Sequence, residues 1–227
     1  MARFALVCDP RVTALAITEN GDPLADVSDC QEIAVAGKRA VVNPWCSLVR
    51  AAILERLRTA ARALPGGIRL CLEEGYRPVE VQRAIFDDYC RELSARLGLD
   101  DANRIAEEAT KYVARPDGVP PHSTGAAVDV TLLADNGREL DMGSTSDDTP
   151  LHNGNRNFTH SRLVTGAARR HRAMLANVMT RAGFENYPAE WWHWSYGDQY
   201  WAYKRRRRMA FYGSVSASDI PCRRSPA

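Results

Sequence analysis

The sequence predicts an α+β fold: one domain with a central antiparallel sheet flanked by helices. Apolar residues recur at helical spacing in several separated segments, runs that alternate or are rich in β-branched residues stand between them, and the two kinds are mixed in order without a repeat or a linker. At 227 residues, 45% hydrophobic and 26% charged, the chain has the make-up of a single globular domain spanning 1–227.

The elements follow in order. Phe4-Ala5-Leu6-Val7-Cys8 is too short for a signal-peptide core and runs straight into Asp9-Pro10, so no export is expected and the cytoplasm is the expected location. Asn43-Pro44 opens a segment in which Leu48, Ala52, Leu57, Ala61 and Leu64 recur at helical spacing, stopped by Gly66-Gly67; this predicts a helix. Ile68 to Leu72 alternates and predicts a strand ending at the turn Gly75-Tyr76-Arg77-Pro78. Pro78 suits the first position of a helix with an inner stripe of Val81, Ile85, Phe86, Tyr89, Leu93 and Leu97, closed by Gly98. A further helix is expected over about 101–113.

Ala126 to Leu133 reads as a strand, and Asn136-Gly137 predicts a hairpin into residues 138–142. Residues 143–159 form a long loop, a length often tied to function, and a helix follows from Leu163 to just before Gly183. The aromatic-rich segment from Phe184 to Tyr212 predicts one or two closing strands.

A formal charge of +2 does not steer the molecule as a whole onto nucleic acid or membrane, and no apolar run reaches the ~20 residues of a membrane helix. Lys204-Arg205-Arg206-Arg207-Arg208 is a local exception, read as solvated surface in a basic, less ordered tail over 204–227, with a phosphate-binding patch as the alternative. Six cysteines scattered singly, without a CxxC pair, are expected to be reduced thiols.

Chemistry concentrates in Glu190-Trp191-Trp192-His193-Trp194 and in His122-Ser123-Thr124-Gly125, followed by Asp129 inside an apolar strand. His152, His160 and His171 lie in a polar loop or on an Arg-rich helix and read as surface residues. A lone strand carboxylate is costly unless paired, hydrogen-bonded or bound to metal. His122, Asp129 and His193 make a donor set suited to catalytic Zn²⁺, one ion per chain, with Glu190 as proton carrier. Taken singly, Asp129 as a cap or ion-pair partner and His193 as a satisfied core histidine account for the same residues. Positions 190 and 193 point to opposite faces of a regular strand, so they converge only if the chain turns between them. Arg77 reaches either a developing oxyanion or an ion pair with Glu73 or Glu74.

These residues, with Glu74-Gly75-Tyr76-Arg77-Pro78 and Leu140-Asp141-Met142-Gly143, resemble the zinc D-alanyl-D-alanine dipeptidases of the VanX type over roughly residues 13–203. The resemblance implies the fold shared with the hedgehog signalling domain, zinc on His122, Asp129 and His193, Glu190 as general base and acid, and Arg77 on the tetrahedral intermediate. It also implies hydrolysis of a small D,D-dipeptide such as D-Ala-D-Ala in cell-wall peptidoglycan chemistry. By position, Asp147 or Asp148 would hold the substrate ammonium, with Tyr76, Ser123, Trp191 and Trp192 as further substrate contacts. The family's serine two residues before the first histidine is Pro120 here, which offers no hydroxyl and no amide hydrogen. The same site acting on another small amide, and a zinc-containing binding domain without turnover, are the alternative readings; no nucleic-acid or membrane partner is expected, and oligomeric state is not specified.

Overall fold

The computed structural model describes residues 4–146 and 153–220. Two long strands anchor it, β5 (Ile68–Glu74) and β6 (Ala127–Ala134), paired antiparallel from Ile68 opposite Ala134 to Glu74 opposite Asp129. β3 (Ile33–Val35) lies outside β5, while β8 (His193–Ser195) and β7 (Glu185–Asn186) extend the sheet beyond β6, giving the order β3-β5-β6-β8-β7. The central sheet is mixed rather than antiparallel as expected, because β3 runs parallel to β5. The chain leaves β3 and returns through a 3₁₀ turn, a ribbon strand and a helix before entering β5; a crossover of that length permits a parallel neighbour, which a tight hairpin does not. Two small ribbons complete the sheets among the described residues: β2 (Leu24–Asp26) antiparallel to β4 (Leu48–Arg50), and β1 (Ala16–Ile17) parallel to β9 (Met209–Ala210).

Strand alternation divides the sheet into a packed face and a polar one. Leu70 and Leu72 of β5, Val128, Val130 and Leu132 of β6, and Trp194 of β8 point into the main core. There they meet Ile53 and Leu57 of α2 (Ala51–Arg62) and Leu175, Val178 and Met179 of α5 (Gly166–Arg181). The intervening residues Glu73, Asp129, Thr131 and His193 face the other way, and all are buried. On that side α3 (Val79–Leu97) packs against α4 (Ala102–Ala109) through Phe86, Tyr89, Leu93 and Ile105. Two further helices among the described residues are α1 (Pro10–Thr13) and α6 (Gln199–Lys204).

The helix expected from Asn43 begins only at Ala51. Tertiary hydrogen bonds override the local spacing: Gly75 N donates to Cys46 O and Tyr76 N to Leu48 O, while the buried Asn43 amide donates to Glu74 Oε1 and Tyr76 O, each at 2.8 Å. Residues 43–48 are thereby drawn against the end of β5. The Asn136-Gly137 turn is present, but its second arm pairs through a single bridge, Leu133 with Glu139. Residues 184–212 hold α6 besides the strands β7, β8 and β9. In the segment expected as a tail, Ala210 and Tyr212 are buried and Arg205 pairs with Glu185 at 2.6 Å; residues 221–227 lie outside the described residues. No helix among the described residues is long and apolar enough to cross a membrane.

Candidate metal centre

Three strands bring one polar row together. Asp129 on β6 stands opposite Glu74 on β5 and His193 on β8, so the three share a face. An irregularity between Leu72 and Glu74 puts Glu74 into this register, as β-bulges commonly re-aim a side chain. His122 joins from the 3₁₀ turn Pro121–Thr124 ahead of β6. That turn ends at Gly125 in a left-handed conformation, φ +67°, where an added Cβ would press on Leu24 Cδ2 at 2.6 Å.

His122 Nδ1 lies 2.8 Å from Gly75 O. A carbonyl only accepts, so Nδ1 carries the proton and Nε2 presents its lone pair. Any side chain on Gly75 would collide with Leu48 O and Val49 Cγ1, so that carbonyl sits where only glycine fits. His122 Nε2 is 3.1 Å from His193 Nδ1 and 3.3 Å from Asp129 Oδ1, and His193 Nδ1 is 3.1 Å from the same oxygen. Donors ~2.0–2.1 Å from a tetrahedral zinc ion stand about 3.3 Å apart, so the buried triad has the dimensions of a three-ligand zinc site. Among the described residues this is the cluster that could hold a metal ion. Burial alone would raise the Asp129 carboxyl, but the two imidazoles hold it well below the ordinary carboxylate range.

Glu190 and His193 converge by the turn their spacing demands. Glu190 N donates to Tyr187 O at 2.9 Å and His193 N to Glu190 O at 3.3 Å, which folds residues 187–193 into two successive turns. Glu190 Oε2 then lies 3.9 Å from His193 Nδ1. Burial pushes the Glu190 carboxyl up, Asp129 adds to this, and His193, Arg77 and Arg39 offset part, leaving it at about 7. Such a value suits a group that must take a proton and give it back.

Of the two alternatives for Arg77, the ion pair with Glu74 is made. Its Nε and Nη2 donate to Glu74 Oε1 and Oε2 at 2.9 and 2.5 Å, and its Nη1 to Gln82 Oε1 at 2.8 Å. Among the described residues three of the five N–H groups of this guanidinium are thereby engaged, which leaves two. Arg77 also lines the cavity over the triad, so the ion pair fixes the arginine at the site. Burial would raise Glu74, but the Arg77 charge holds it at about 2.

The cavity encloses about 400 Å³, at the small end of the ~300–1,000 Å³ typical of small-molecule sites. His122, Asp129, His193, Glu190, Arg77 and Trp192 line it, with Tyr89, Tyr112 and Val113 from the α3–α4 side. The other expected contacts divide. Tyr76 is buried with its hydroxyl on Val215 O at 2.8 Å. Ser123 Oγ is taken by Pro120 O and Ser214 Oγ, both at 2.7 Å. Trp191 is a core residue whose Nε1 donates to Ser144 Oγ at 3.0 Å. These three are not among the residues that line the cavity, and their polar groups are engaged elsewhere. Asp147 and Asp148 lie outside the described residues; the neighbouring Ser146 lines the cavity and accepts from Lys38 Nζ at 3.1 Å, and Lys38 in turn pairs with buried Glu73 at 2.5 Å.

The structure adds Gln82, Asn43 and the Gly75 carbonyl to the site. Nothing in a single sequence marks them, because their roles depend on contacts between distant segments.

The chain matches the family model described as D-ala-D-ala dipeptidase over residues 34–211. Over 195 residues it is 32% identical to a D-alanyl-D-alanine dipeptidase of Synechocystis, covering 74% of this chain and 79% of that protein. Over 159 residues it is 28% identical to the D-alanyl-D-alanine dipeptidase of Escherichia coli, covering 70% and 71%. Among solved structures, a vancomycin resistance D,D-pentapeptidase VanY in complex with Zn(II) aligns with 20% identity and a TM-score of 0.47 over 86% of this chain and 96% of that one.

Proposed function

The chain belongs to the D-ala-D-ala dipeptidase family, and on that premise we propose that it is a zinc peptidase hydrolysing the peptide bond of a small D,D-dipeptide such as D-alanyl-D-alanine. The observation that carries the reading is the spacing of His122 Nε2, Asp129 Oδ1 and His193 Nδ1 with the Glu190 carboxyl 3.9 Å from the nearest of them. His122, Asp129 and His193 would hold the zinc ion, which would supply Lewis acidity for the scissile carbonyl and a water molecule.

The chain's own groups do the rest. The Glu190 carboxylate accepts the proton of the attacking water and returns it to the leaving amine, and a value near 7 lets it do both at neutral pH. The two free N–H groups of Arg77 serve the oxygen on which negative charge develops, and Glu74 and Gln82 hold the guanidinium still for that purpose. Trp192 forms an apolar wall that excludes bulk water. The small cavity favours a dipeptide over a longer chain. Asp147 or Asp148 is assigned to the substrate ammonium by position. Pro120 replaces the family's carboxylate-contacting serine, so recognition of the substrate carboxylate falls to another group. Cytoplasmic residence belongs to the same proposal and is supported by the free thiols Cys8, Cys30, Cys46, Cys71 and Cys90.

The test is metal analysis of the purified chain coupled to a panel of D-Ala-D-Ala, L-Ala-L-Ala and the mixed dipeptides. One zinc per chain and release of D-alanine from the D,D-dipeptide are expected. Bound zinc with hydrolysis confined to other amides would move the substrate assignment, and no hydrolysis of any dipeptide would overturn the enzyme reading.

A further inference from the structure

Within residues 193–200, four buried polar atoms have no hydrogen-bond partner among the described residues: His193 Nε2, Ser195 Oγ, Asp198 Oδ2 and Tyr200 OH. Buried polar groups are satisfied in the great majority of cases, so four in one short stretch require an explanation. They are neighbours. Ser195 follows His193 by two positions on β8 and therefore shares its face. Asp198 feels the Ser195 hydroxyl and the charge of both imidazoles, and Tyr200 feels the charge of Asp198. The Tyr187 ring packs edge-on against both His193, at 6.0 Å, and Tyr200, at 5.3 Å.

Asp198 is 2% exposed, and only half of its carboxylate serves the fold, since Oδ1 accepts from Trp201 N at 2.8 Å and caps α6. The cap does not account for Oδ2. His193, meanwhile, needs its proton on one nitrogen in particular. Its Nδ1 faces Asp129 and His122, so binding a metal there leaves Nε2 as a donor in a buried place. A ligating histidine almost always gives that second N–H to a carboxylate, carbonyl or water.

We propose that Asp198 is a positioning residue for His193, its Oδ2 receiving the Nε2–H through a bound water shared with Ser195 and Tyr200. A buried water requires two to four polar partners, and these atoms supply them. The arrangement fixes the tautomer that exposes the Nδ1 lone pair and orients the ring. It rests on the metal reading above and adds to it a residue that touches neither metal nor substrate.

The experiment is zinc affinity of the full-length protein, measured by competition with a chromogenic chelator, beside the melting temperature of the metal-free protein. Asp198→Asn keeps the cap, since asparagine caps helices as well as aspartate. It is expected to weaken zinc binding about 10- to 100-fold while the metal-free melting temperature stays within a few degrees. Ser195→Ala and Tyr200→Phe leave the carboxylate and the cap in place and are expected to weaken binding several-fold each; they decide the matter if Asp198→Asn does not fold. Wild-type zinc affinity in the folded variants overturns the proposal for Asp198 alone. Failure of the wild-type protein to bind zinc overturns the metal reading itself.

Discussion

Glu74 and Asp129 stand directly opposite each other on β5 and β6, two buried carboxylates in register, and each is held ionised by a different partner. Glu74 receives the fork of Arg77 and the amide of Asn43; Asp129 receives the two imidazoles. Two negative charges side by side in a protein interior are tolerable only beside compensating positive charge, which Arg77 supplies to Glu74 and a bound metal ion would supply to Asp129. The metal triad and the Arg77 clamp are thus two halves of one electrostatic arrangement, and disturbing either carboxylate reaches the other.

Replacing Glu74 with Gln keeps the shape and removes the charge that fixes Arg77. Breaking a buried pair by removing one partner costs about 3–5 kcal/mol, and for a chain of this size each kcal/mol lowers the melting temperature by roughly 2–4 °C. A drop of roughly 6–20 °C is expected, together with at least a tenfold loss in kcat/KM because the guanidinium is no longer held. Thermal melts and steady-state rates on D-Ala-D-Ala check it; an unchanged melting temperature would show that the pair contributes nothing.

Arg77→Lys keeps a positive charge but gives up the planar fork that meets Glu74 and Gln82 together. A loss of about 10²–10³ in kcat is expected, the usual effect of removing one oxyanion donor, with zinc content unchanged. Loss of zinc along with activity would place Arg77 in metal retention instead.

Metal should stabilise the fold through His122, Asp129 and His193. A ligand at about 1,000 times its dissociation constant adds ~4 kcal/mol, so zinc should raise the melting temperature of chelator-treated wild type by roughly 8–16 °C. His122→Ala, which removes one of the three donors, should cut that shift to a small fraction. An equal shift in the variant would mean that zinc binds elsewhere.

Much of this site is legible wherever a costly residue interrupts an otherwise favourable pattern. Asp129 inside Ala126–Leu132 and the acid–imidazole pair among three indoles stand out, and the spacing of 190 and 193 requires the turns that residues 187–193 make. The alternation of β5 and β6 is plain because each is long enough to show a period of two. Strands β3 and β4, of three residues each, are too short to show one, which hides both the parallel neighbour of β5 and the true start of α2. Helix α6 reads as strand in the sequence because Tyr and Trp favour strands on average. Its cap, Asp198, and its contact with the core through Trp201 set the outcome. The register of Glu74 depends on an irregularity that no local pattern encodes.

Tyr76 and Ser123 separate contacts inferred by position from contacts made in space. Tyr76→Phe and Ser123→Ala each remove a hydroxyl hydrogen-bonded away from the cavity, to Val215 O and to Pro120 O and Ser214 respectively. About 1 kcal/mol of stability should go with each, while KM for the dipeptide stays within twofold. A severalfold rise in KM for either variant would return that residue to the substrate site.

Glu190 ties chemistry to pH. Its carboxyl sits at about 7 against an ordinary 4.5, because burial disfavours the charge and Asp129 adds repulsion beyond what His193, Arg77 and Arg39 offset. A carboxyl whose value is raised by folding binds its proton more tightly in the native state. Its contribution to stability is therefore full below 4.5 and disappears as pH rises through about 7. At ~1.36 kcal/mol per pH unit the loss in metal-free protein is roughly 3 kcal/mol. Glu190→Gln has no such group to titrate. About 2.5 kcal/mol of the wild-type loss falls between pH 5 and pH 8, so the melting temperature of the metal-free variant should gain on that of metal-free wild type over that range by roughly 5–10 °C. Asp129 acts in the opposite sense, its contribution being present above 3.8 and lost as pH falls through its depressed value, so its window lies below this one. In the zinc-loaded state the same variant should lose about 10²–10⁴ in kcat while retaining its metal. A melting-temperature difference that stays constant from pH 5 to pH 8 would show that the carboxyl is not raised, and proton transfer by Glu190 would then have to proceed from an ordinary carboxylate.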